Sequence, residues 1–154
     1  MRRLGELLAH PWLTVRSGIL LGVLFVAAAL PKVVDPPSFA HMVYNYRIVP
    51  GPLVNLMALV LPWFELLAGL GLVLGIWRRT AALWIGVLLA VFIGAISFNL
   101  ARGNAIDCGC FDPSASGRSV EERLADMRMV VVRDVGMLAL VAQLLWAERR
   151  RERA

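Results

Sequence analysis

The sequence predicts an all-α integral membrane protein, a single-domain four-helix bundle over residues 1–154. Three observations carry this. Apolar residues make up 59% of the chain and charged residues 18%, against roughly 45–50% and about 25% in ordinary soluble domains. Four apolar runs are long enough to cross a hydrocarbon core roughly 30 Å thick at about 1.5 Å per helical residue. None alternates as barrel strands do, and only helices and closed barrels satisfy their backbone in lipid. A disordered chain, a collagen-like chain and a typical soluble enzyme are excluded. The net charge of +5 does not indicate nucleic acid. Its basic residues lie at the chain ends and in short connections, as membrane orientation requires.

The first span is Trp12–Leu30, closed by Pro31-Lys32. Ala27-Ala28-Ala29 resembles a signal-peptide cleavage site. However, the segment before the apolar run is long for a signal and contains Pro11, Trp12 and Arg16, so a retained helix is expected. Next, Asp35-Pro36-Pro37 reads as a helix start, with Asp as cap and Pro in the first turn. Phe39, Met42, Val43 and Tyr46 recur at helical spacing, giving a short amphipathic helix at the interface that ends at Arg47. It is either a connector or a lid over a site at the bundle mouth. The second span is Leu53–Ile76, closed by Arg78-Arg79. The third is Thr80–Leu100, followed by Arg102-Gly103. Ser119, with Glu121 and Glu122 in the first turn, caps a helix that feeds the fourth span, Met129–Trp146. Arg149, Arg150, Arg151 and Arg153 follow it. Trp12, Trp77, Trp84 and Trp146 fall where an aromatic belt sits. Gly69, Gly71, Gly75, Gly86 and Gly94 are expected to allow close helix packing.

Basic residues are densest at Arg2-Arg3, Arg78-Arg79 and the C-terminal arginines. That face is expected to be cytoplasmic, with both termini inside. The two long loops then face outward, towards the periplasm of a double-membrane bacterium, and the protein sits in the inner (cytoplasmic) membrane.

The second outer loop holds the only two cysteines, in Asp107-Cys108-Gly109-Cys110-Phe111. A disulfide between them would close a ring worth only about 1.6 kcal/mol of chain entropy before strain. Strain removes part of that and makes the bond easier to reduce. Gly109 lets the backbone fold tightly enough to close it. The pair therefore reads best as redox-active. Capture of a soft metal or electrophile and an inert structural role are the rival readings. Asp107 and Asp112 disfavour the thiolate, and Arg102 would counter them by folding back. His41, in the other outer loop, is the nearest imidazole by topology. No bound metal is expected.

Inside the membrane, Glu65 lies near the midplane of the second span, where an ionisable group is costly. It is a candidate to pass a proton or hydrogen-bond a quinone head, or else a neutral carboxyl satisfied by a neighbouring helix. Pro62, one turn earlier, removes a backbone bond beside it. Asn99 lies at the outer end of the third span. Arg133 and Asp134 lie at the same level of the fourth, and as sequence neighbours they are expected to point in different directions.

These residues together resemble the MauE family, within the DoxX-like group of four-helix membrane proteins. The matching stretches are Leu30-Pro31-Lys32, Asp35-Pro36, Phe39-Ala40, Tyr46, Pro50, Leu61-Pro62-Trp63-Phe64-Glu65-Leu66 with Gly69, Arg79, Ala81-Ala82, Asp107-Cys108-Gly109-Cys110-Phe111 and Arg133-Asp134. This chain has Asp112 where the family pattern usually has Gly. The resemblance implies a redox-associated protein that handles thiols and disulfides outside the cytoplasm. It is also similar in architecture to vitamin K epoxide reductase and the quinone-coupled disulfide oxidases.

The leading expectation is a membrane thiol–disulfide oxidoreductase with Cys108 and Cys110 as the exchanging pair. Its partner would be a thioredoxin-like protein or a disulfide-containing client, and its electron acceptor a quinone. Glu65, Asn99, Arg133 and Asp134 would line the proton or quinone path, and Asp107, Phe111, Arg102 and His41 would contribute from the loops. The alternatives are a non-enzymatic assembly factor for a disulfide-rich client and a soft-metal- or electrophile-binding membrane protein.

Overall fold

A computed structural model describes residues 10–104 and 119–152. The helices among the described residues are α1 (Pro11–Val34), α2 (Pro36–Asn45), α3 (Gly51–Leu74), α4 (Arg78–Ala101) and α5 (Val120–Glu152). Four of them, all but α2, are long and apolar enough to cross a membrane. No strand occurs among the described residues.

Local chemistry sets the boundaries. Pro at the first positions of α1, α2 and α3 lacks only an N–H that would be unbonded there anyway. Asp35 caps α2, its carboxylate accepting from the Ser38 N–H at 3.2 Å and the Ser38 hydroxyl at 2.6 Å. Those two bonds, the hydroxyl's first, hold the Asp35 carboxyl below the usual carboxylate range. Gly75 ends α3 at φ +72°, the left-handed conformation that glycine adopts without penalty. Trp77, also left-handed at φ 48°, starts α4. This tight reversal makes α3 and α4 antiparallel neighbours. Ser119 caps α5, and Glu122 reaches back to the Ser119 N–H at 2.9 Å, a reciprocal capping box.

Packing runs around a ring. α1 lies along α3, α3 contacts α4, α4 lies along α5, and α5 returns to α1. The α1–α3 crossing is the closest. A Cβ on Gly22 would stand 2.6 Å from the Gly69 carbonyl oxygen, and one on Gly69 would stand 2.9 Å from that of Gly22. Backbones approach this closely only where side chains are absent. The bundle has a turn face, carrying the α3–α4 reversal and the end of α5, and a loop face, carrying α2. The main apolar core fills the half nearer the turn face, around Leu21, Leu72, Ile85, Leu89 and Leu144. At the loop face, Phe39 and Met42 of α2 pack on Ala58 of α3.

Most boundaries fall within two residues of the sequence reading, and the ends of the first and fourth spans show the larger differences. α1 does not stop at Leu30 but continues through Pro31 to Val34. Pro31 forgoes the hydrogen bond its own nitrogen would have made and crowds the carbonyl one turn back, while the Lys32–Glu65 contact anchors the last turn. Lys32, expected in the loop, is therefore a helical residue, buried at 6% exposure. The fourth span and its leading segment form one continuous helix from Val120.

Candidate functional site

A cavity of about 180 Å³ lies between the main core and α2. All five helices line it, and its walls are apolar except around Lys32, Glu65, Arg133, Asp134 and Tyr46. Leu88 and Leu89 belong both to the core and to its lining, while Phe39, Met42 and Val43 of α2 cover it. Its lining also includes Ile48, in the connection between α2 and α3, and Val91 of α4, both exposed.

The Lys32–Glu65 ion pair is the dominant charged feature. Lys32 Nζ donates to Glu65 Oε2 at 2.7 Å and to Oε1 at 3.0 Å. Both side chains are almost wholly buried, at 6% and 3% exposure. Helix geometry explains how they meet. Side chains lean towards the N-terminus of their own helix. α1 and α3 run antiparallel, so Lys32 leans inward from the loop face while Glu65 leans out from the core. Either ion alone would carry a desolvation penalty of several kcal/mol in this setting. Paired, they are neutral overall. The ammonium also stands 5.2 Å from the ring centroids of Phe39 and Phe92, within cation–π range of both.

A second ion pair lines the same cavity. Arg133 donates from Nε and Nη2 to Asp134 Oδ1 at 3.0 and 2.9 Å. Asp134 is buried and Arg133 half-buried. The expectation that these neighbours would diverge is corrected. The long guanidinium stem curls back along the helix to its neighbour's carboxylate.

Glu65, Arg133 and Asp134 thus come together around one cavity, and Asn99 does not join them. Asn99 is fully buried, and its Nδ2 donates to the Tyr46 carbonyl at 3.2 Å and the Ala95 carbonyl at 3.0 Å. It fastens the end of α2 to α4. Its Oδ1 finds no hydrogen-bond partner among the described residues. His41 is exposed on α2. Arg102 caps α4 and lays its guanidinium over Phe98, 5.2 Å from the ring centroid. Asp107, Cys108, Cys110 and Phe111 lie outside the described residues. The residues that bound that segment, Asn104 and Ser119, follow α4 and precede α5 at the loop face. No group of three or more His, Cys, Asp or Glu side chains able to hold a metal forms among the described residues.

Lys32 is the residue that sequence reasoning missed. Its signal was present. It follows Phe25, Ala28 and Ala29 at helical spacing, on the stripe that faces the bundle, and a midplane glutamate needs a counter-ion.

The chain matches the family described as "Methylamine utilisation protein MauE" over residues 10–147. It is 42% identical over 106 residues to the methylamine utilization protein MauE of Methylorubrum extorquens, covering 68% of this chain and 57% of that protein. It is 38% identical over 109 residues to the protein of the same name from Paracoccus denitrificans, covering 70% of this chain and 59% of that protein. It therefore spans somewhat under two thirds of the length of these relatives. No solved structure gives a significant match.

Proposed function

The chain belongs to the MauE family, and from that premise we propose that it is a membrane thiol–disulfide oxidoreductase whose exchanging pair is Cys108 and Cys110. The observation that carries this reading is the shared face. Asn104 and Ser119, which bound the cysteine segment, lie at the same end of the bundle as the charged cavity. Positive charge concentrates at the opposite end, in Arg78, Arg79 and Arg149–Arg151. This supports a cytoplasmic turn face and an extracytoplasmic loop face in an inner membrane.

In this reading a Cys108–Cys110 disulfide is attacked by a thiolate of an extracytoplasmic partner, either thioredoxin-like or a disulfide-rich client. The partner leaves oxidised, and the chain holds a dithiol. A quinone, when bound, accepts the two electrons and two protons that the dithiol releases as the disulfide re-forms. The relatives are named for methylamine utilisation, and that name supports a role in the same process.

The test is the midpoint potential of the pair in purified protein, by thiol alkylation across a glutathione series. A reversible potential above about −230 mV is expected of a catalytic disulfide. Cys108→Ser should abolish exchange. A pair locked as dithiol at every poise, or locked as disulfide below about −300 mV, would overturn the reading in favour of a non-enzymatic assembly factor.

A further inference from the structure

We propose that the cavity under α2 is a binding site for a membrane quinone, with one head-group carbonyl accepting a hydrogen bond from Lys32. This deepens the reading above and rests on it for the acceptor's identity. The geometry is independent of the cysteines.

The first argument is donor arithmetic. A lysine ammonium has three N–H donors. Glu65 takes two, and no other hydrogen bond from Lys32 forms among the described residues. A ligand acceptor is the natural partner for the third, in a place where water would itself be poorly solvated.

The second argument is charge. Lys32 is already neutralised by Glu65, and Arg133 by Asp134. An anionic head, such as a fatty-acid carboxylate, would leave a net negative charge in an apolar cavity and incur its desolvation. A neutral carbonyl uses the free donor and leaves both ion pairs balanced.

The third argument is shape. An apolar cavity of about 150 Å³ is known to take up a benzene ring. This one is about 180 Å³, room for one substituted six-membered ring and too little for an acyl chain as well. The ring centroids of Phe39 and Phe92 each lie 5.2 Å from the contacting ammonium, so a planar head bound there meets aromatic surface. A tail must therefore leave the cavity. Val91, in the span α4, lines it and is 59% exposed on the outside of the bundle. That position gives a hydrocarbon tail an exit between the helices into the bilayer.

The experiment is equilibrium binding of decylubiquinone to the full chain in lipid nanodiscs, with decanoate as competitor. Saturable one-to-one binding that decanoate does not displace is expected. Ala95→Phe fills the cavity without touching either ion pair and should abolish binding. The double variant Lys32→Met with Glu65→Leu leaves no unpaired charge and should weaken binding about tenfold or more, the loss of one bond to a charged donor. Helical circular dichroism of each variant must match the parent. Cys108→Ser should lose exchange and keep binding. Equal competition by decanoate, or full affinity in folded Ala95→Phe, would overturn the site. Intact binding without any thiol exchange in the parent would sink the oxidoreductase reading and leave the site standing.

Discussion

At the residue scale, the central fact is that Lys32 and Glu65 are buried together. The gain from their attraction is offset by the cost of removing both from water, so the pair contributes little net stability. What it does is make either residue indispensable to the other. Glu65→Ala is expected to destabilise the bundle by about 3–5 kcal/mol, because it leaves a buried ammonium uncompensated. Lys32→Met with Glu65→Leu should be markedly less destabilised than Glu65→Ala alone. Thermal unfolding in one detergent reads both. A double variant as unstable as the single would mean that the pair's hydrogen bonds, rather than charge balance, hold α1 to α3. The same residue illustrates how sequence reasoning failed. Lys32 follows a proline, and Lys near a helix end ordinarily reads as an interface residue. Only the continuation of α1 through Pro31 turned it inward.

At the element scale, the α1–α3 crossing governs the site, because it sets the spacing across which Lys32 reaches Glu65. Gly22 and Gly69 pack backbone against backbone, and no side chain fits between them. Gly69→Leu is expected to cost at least about 1–3 kcal/mol by overpacking and to lower the unfolding midpoint. Gly94→Ala, where an added Cβ meets nothing within 4 Å, should leave it nearly unchanged. Thermal unfolding of the two variants side by side checks the contrast. Of these elements, α2 was the most legible. Its cap, its prolines and its apolar spacing are local, and α2 starts at Pro36 as the pattern indicates but ends at Asn45, short of the expected Arg47. Its role as a cover over charged residues was not legible, because that depends on where α1 and α3 leave a gap.

For the whole molecule, hydropathy and charge act on different questions. Hydropathy sets the number of spans, and four such helices are present. The arginine distribution sets the expected sidedness. In a background lacking both cysteines, His41→Cys on exposed α2 should react with a membrane-impermeant maleimide from outside intact spheroplasts. Trp77→Cys, in the exposed α3–α4 turn, should react only after permeabilisation. The reverse pattern would invert the orientation and move the cysteine segment to the reducing side, where a stable disulfide is disfavoured.

Sequence by itself determined what depends on neighbours along the chain. That includes the helical class, the spans to within a few residues, the capped helix between the first two spans, and Cys-Gly-Cys as the chemically distinctive motif. It also marked Glu65, Arg133 and Asp134 as costly polar groups in apolar surroundings. The tertiary structure alone decided which of these meet. It gave Glu65 its lysine, joined Arg133 to Asp134, sent Asn99 to the Tyr46 carbonyl and left a cavity among them. The reason is physical. Spans follow from transfer free energies summed along a local window. Pairing inside the bundle follows from helix crossings and side-chain lean, which depend on residues far apart in the chain.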